Sequence, residues 1–122
     1  MGRVDEFQIE GRNFVYIDLS EFKSNEDFLR ESAAIELVIA KYPEKSVYTI
    51  TNIENVRFDT NSKEVVANYM RNNKPYVKSG VVIGLDGIKK VLVNMVLKMS
   101  GRTNMHFAFS KEQAIEWLLK QD

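Results

Sequence analysis

The chain has 122 residues, 44% of them hydrophobic and 28% charged, with 17 basic residues against 17 acidic ones and no cysteine. That length and balance fit a single folded domain over residues 1–122 rather than a disordered chain. Zero net charge argues against nucleic acid as a partner, and the missing cysteines exclude disulfides, thiol catalysis and cysteine-ligated zinc.

Met1 to Glu10 is too polar for a secretory leader, and no apolar run reaches the ~18 residues that span a bilayer. A cytoplasmic protein is the expectation. Glu6-Phe7-Gln8-Ile9-Glu10 alternates in polarity, turns at Gly11-Arg12-Asn13 and resumes as Phe14-Val15-Tyr16-Ile17-Asp18-Leu19, a hairpin pattern. The second strand is apolar on both faces, which places it deeper in the sheet than the first.

Ser24 before Asn25-Glu26-Asp27 predicts a capped helix start. Phe28, Ser32, Ile35, Val38, Ile39 and Tyr42 follow at helical spacing up to Pro43. Ser46 to Asn52 reads as a third strand. After a connector from Asn52 to Asp59, with Val56 and Phe58 over the core, a second helix runs from about Thr60 to Asn73. Its inner face is Val65, Val66, Tyr69 and Met70.

Tyr76 to Ile83 is a fourth strand, the turn Gly84-Leu85-Asp86-Gly87 follows, and a third helix runs to Ser100. Met105 to Phe109 is a short fifth strand. Ser110-Lys111-Glu112-Gln113 is a capping box that opens a last helix, with Ala114, Trp117 and Leu118 inward. The order β-β-α-β-α-β-α-β-α predicts an α/β fold: a single-domain mixed five-stranded sheet with four helices.

The third helix carries more apolar surface than one sheet face requires. Ile88, Leu92, Met95 and Met99 fall on one stripe, read as core, and Lys90, Asn94 and Lys98 on a polar stripe. Val93, Val96 and Leu97 lie between them, with Val91 on the other flank. Either neighbouring helices cover this surplus, or it is a homodimer seam, a protein-partner surface or a lipid contact. Lys89, Lys90, Lys98 and Arg102 would border a lipid-facing strip with positive charge.

Other chemistry is sparse. Gly84-x-x-Gly87 joins strand to helix but lacks the Lys-Ser/Thr ending of a phosphate loop and the third glycine of a dinucleotide fingerprint, so it reads as a structural turn. One histidine, His106, leaves no multi-histidine metal site. No cofactor is implied. An enzyme would need a pocket gathering Asp18, Asp59, Arg102 and His106.

The element order, the Gly84-Leu85-Asp86-Gly87 turn, the helix end Ser100-Gly101-Arg102 and the closing Phe109-Ser110-Lys111-Glu112-Gln113-Ala114-Ile115-Glu116-Trp117-Leu118 resemble the SpoIIAA-like group of STAS domains. These are bacterial relatives of anti-sigma-factor antagonists, similar in fold to Sec14-type lipid carriers. The resemblance implies a non-enzymatic regulatory module that binds a protein partner. Antagonists of that family carry Asp-Ser-Ser-Gly where the second helix begins, and a partner kinase phosphorylates the second serine. The matching run here is Asp59-Thr60-Asn61-Ser62, and Asn61 stands at the acceptor position, where an amide takes no phosphate. Thr60 or Ser62 could substitute at the helix start, though Asp59 or Thr60 also suits a plain cap. The candidate sites are therefore Asp59, Thr60, Asn61 and Ser62 as partner or switch residues, and Val93, Val96, Leu97, Lys89 and Lys90 as the interface or lipid face.

Overall fold

The computed structural model describes residues 4–21, 24–56 and 62–121, with residues 25, 62, 88, 89 and 92 placed at the level of the backbone. Strands β1 (Val4–Ile9) and β2 (Arg12–Asp18) form the predicted hairpin. It turns through Glu10 and Gly11, both at positive φ, where a glycine adds no Cβ strain. Helix α1 (Asn25–Ile39), strand β3 (Val47–Asn52), helix α2 (Ser62–Asn73), strand β4 (Val77–Ile83), helix α3 (Gly87–Ser100), strand β5 (Met105–Phe107) and helix α4 (Lys111–Leu119) follow.

The sheet has the order β1-β2-β3-β4-β5. The first pair is antiparallel and the other three are parallel. Because β2 to β5 are added one after another in a single direction, crossovers of constant hand carry α1, α2 and α3 to the same sheet face. No strand follows α4, and it folds back under β3 and β4 on the opposite face.

Two cores result. On the three-helix side Val15, Ile17, Val47, Val77 and Val82 meet Phe28, Ile35 and Ile39 of α1 and Tyr69 of α2. On the other side Phe14, Tyr48, Ile50, Val81 and Ile83 meet Ala114 and Leu118 of α4. Period-two alternation along β2 and β3 sends neighbouring residues to opposite cores. As the double-sided apolar pattern of β2 predicts, Phe14, Val15 and Ile17 are all buried.

Caps follow the sequence. The Ser24 hydroxyl accepts from Asp27 N, and Ser110 accepts from Gln113 N. The reciprocal bond of the capping box is displaced by one residue: Gln113 Oε1 accepts from Phe109 N rather than Ser110 N. Phe109 consequently lies beyond β5 and is 93% exposed. Within α2 the best-buried side chains are Ala67, Tyr69 and Asn73, while Val65, Val66 and Met70 pack around the edge of that core.

The third helix is rotated from the expectation. Met95 and Met99, read as core, are 40% and 39% exposed, and Val91 is 61% exposed. Val96 and Ser100 are buried instead, and Val93 packs against the three-helix core. Branched or small side chains let the helix sit close to the sheet, which the long methionines would not. The helix ends in a Schellman turn: Gly101 N donates to Lys98 O and Arg102 N to Leu97 O, with Gly101 at φ 72°.

Candidate functional site

Two regions carry the sequence-derived site residues: the loops at the C-terminal ends of β2, β3 and β4, and the outer face of α3. In parallel α/β sheets that end of the strands is where ligands and partners are met.

The loops there hold one another closely. Leu19 N donates to Asn52 O, Glu21 N to Glu54 O and Ile53 N to Ile83 O. The Asn55 amide donates to Glu21 Oε2 at 2.7 Å. Glu21 and Asn55 both adopt the left-handed backbone, at φ 68° and 60°. Non-glycine residues hold that conformation only where surroundings over-determine it, here through bonds made across the two loops. From the other side comes Gly84, at φ 84°, where a Cβ would stand 2.6 Å from Glu54 N and 2.8 Å from Asn52 Oδ1. The connector leading toward α2 is thus held between the loops that precede α1 and α3.

Of the candidate switch residues, Asp59, Thr60 and Asn61 lie outside the described residues, as does Phe58. Ser62 opens α2.

On α3 the predicted interface residues divide. Val96, 5% exposed, is core, and Val93 packs against that core. Leu97 is half-buried, and its carbonyl accepts from Arg102 N and from the Ser100 hydroxyl. The apolar surface left open is instead Val91, Met95 and Met99. Lys90 and Lys98 are exposed beside it, and Lys90 Nζ stands 5.4 Å from the Phe107 ring centroid.

Arg102 does not border that strip. It is 6% exposed, and its guanidinium donates to Met70 O at 3.1 Å, Asn104 Oδ1 at 3.0 Å and Met105 Sδ at 3.0 Å. Burial pulls its pKa down to about 10, against the opposing influence of Tyr69. The Tyr69 hydroxyl is buried beside the Asn73 amide without a well-formed hydrogen bond. Burial first, and the Glu36 carboxylate second, push its pKa well up. Arg102 ties the end of α3 to α2. An arginine after a helix-ending glycine was the only sequence signal of this role.

Of the four residues an enzyme would need, the three described ones are not brought together. Arg102 bonds to α2 on the three-helix side. His106 stacks on Trp117 of α4 at 4.2 Å and 5°, on the opposite side. Asp18 ends β2, separated from β5 by β3 and β4, and accepts from Ser20 N and Oγ. Asp59 is outside the described residues. Among the described residues no three His, Asp or Glu side chains group as a metal site would.

No protein-family model matches the chain, and no curated protein matches it. Among solved structures the chain is similar to that of the anti-sigma factor antagonist SpoIIAA in its unphosphorylated form. The TM-score is 0.59 with 20% identity, covering 98% of each chain. The chain has a SpoIIAA-like fold.

Proposed function

We propose that this chain is a regulatory interaction module, not an enzyme, that works in the cytoplasm by binding a protein partner through α3 and the adjoining start of α2. The observation that carries this reading is the open apolar row of Val91, Met95 and Met99 on a helix whose inner face already fills the core. Apolar residues at four-residue intervals on one exposed helix face are what a docking partner buries. The fold adds support, since SpoIIAA is by its description an antagonist of an anti-sigma factor and so acts on another protein. Among the described residues no helix is long and apolar enough to cross a membrane.

Asn61 at the family's acceptor position makes the interaction independent of phosphate at that residue. Capture of partners by the unmodified chain therefore tests both ideas together. Val91→Glu with Met95→Glu should weaken capture at least about tenfold, near 1.4 kcal/mol, with unchanged circular dichroism. A partner held equally well by this variant overturns the α3 assignment. A membrane surface is the second reading, resting on exposed Lys90 and Lys98 beside the row, and the burial of Arg102 removes one cation from it.

A further inference from the structure

The layer formed by α1, α2 and α3 carries a second open apolar row. On α1, Leu29 is 55% exposed, Ala33 is exposed and Leu37 is 73% exposed. This row has the spacing of Val91, Met95 and Met99 on α3, each residue four beyond the last. The two helices have nearly equal lengths, 15 and 14 residues.

Their charges are opposite. Helix α1 carries four acidic residues, Glu26, Asp27, Glu31 and Glu36, and one basic residue, Arg30. Helix α3 carries Lys89, Lys90 and Lys98 and no acid. Setting α3 against a second α3, or α1 against a second α1, brings like charges together across an apolar seam. Setting α1 against α3 brings opposite charges together.

We propose that the chain forms a twofold dimer in which α1 of each copy lies against α3 of the other. The fold supplies the geometry. Both helices follow parallel strands and so run in the same direction, on either side of α2 in one layer. A twofold axis along that direction, above α2, lays each α1 over the partner's α3 and makes both seams at once. With Leu29 level with Val91 and Leu37 level with Met99, Glu36 falls level with Lys98. The inference rests on the reading of α3 as a docking face and names its occupant as a second copy of this chain.

Sedimentation velocity on the full chain tests it. The wild type should sediment at twice 14.1 kDa, and raising the salt from about 0.05 M to about 0.5 M should weaken the association. Leu37→Glu and Met95→Glu, both at exposed positions, should each raise the dimer Kd at least about tenfold. Lys90→Glu with Lys98→Glu, and separately Glu26→Lys with Glu36→Lys, should each be monomeric. Mixed, the two charge-reversed chains should dimerise, because every seam is then complementary. A wild type of 14.1 kDa at about 1 mM overturns the proposal, and so does a dimer that survives both Leu37→Glu and Met95→Glu. A monomer that sediments with anionic vesicles also overturns it, in favour of lipid. A monomer whose partner capture still depends on Val91 and Met95 refutes self-association alone and leaves the partner reading in place.

Discussion

Individual side chains in this fold often secure one element to another. Tyr42, just past α1, donates its hydroxyl to Glu6 Oε1 of β1 at 2.6 Å, and Lys41 Nζ lies 3.3 Å from Glu6 Oε2. The hydrogen bond from Tyr42 is the main cause holding the Glu6 pKa below its ordinary 4.5. Burial first, and Glu6 second, push Tyr42 up to about 12 from 10.0. The signs give a window. A lowered carboxylate pKa contributes stability above 4.5 that is lost as pH falls. A raised phenol pKa contributes stability below 10.0 that is lost as pH rises toward 12. Tyr42→Phe should therefore lower the melting temperature most between those two ordinary values. The difference from wild type should shrink toward both pH extremes, as read by thermal melts across pH. A constant difference at every pH would show that the phenol acts by packing alone.

At the scale of elements, α3 shows what the sequence held and what it did not. Strand positions, the Ser24 and Ser110 caps and the inner face of α1 were all legible, because short apolar or alternating runs bounded by turn residues, hydroxyl caps and one clear helical phase mark them. A helix apolar on most sides has no such phase. The row of Ile88, Leu92, Met95 and Met99 is as apolar as the row of Val93, Val96 and Leu97, so periodicity cannot choose between them. Tertiary contacts make the choice: buried Arg102, bonded to Met70 O, and the Gly101 turn fix the helix about its axis with Val96 inward. Val96→Ala should then cost about 2 kcal/mol, two methyl groups and the space they leave. Val91→Ala, at a position 61% exposed, should stay within about 0.5 kcal/mol of wild type. Urea midpoints distinguish the two, and equal costs would contradict the rotated helix. The reading of Asp59-Thr60-Asn61-Ser62 as a switch rests on family resemblance alone, since by its own residues the run suits a plain helix cap.

For the molecule as a whole, the two sheet faces are unequally covered. Three helices shield one core, while the other rests on nine residues of α4. The first strands help to hold that helix. Arg12 donates to Leu118 O at 2.8 Å and to Gln121 O, so the start of β2 adds a charged donor to carbonyls at the α4 end, where Leu118 O also accepts from Gln121 N. Its guanidinium also lies 5.2 Å from the Tyr48 ring centroid. Nearby, Lys111 Nζ stands 4.6 Å from the Tyr16 ring centroid and 5.2 Å from that of Phe7. Arg12→Ala should lower whole-molecule stability by about 2 kcal/mol, the loss of charge-assisted bonds to two carbonyls. Hydrogen exchange should show protection falling first along α4. Uniform loss of protection would mean that α4 does not open separately.

The place of α4 in the chain also sets an order of events during synthesis. The hairpin, α1 to α3 and all five strands leave the ribosome before the helix that covers Phe14, Tyr48, Ile50, Val81 and Ile83. At about 5–20 residues per second, the three-helix side can assemble while the opposite side of the sheet is still bare and sticky. A sheet face bare over that interval is the kind of apolar surface that chaperones shield, and Ala114 and Leu118 cover it when α4 docks.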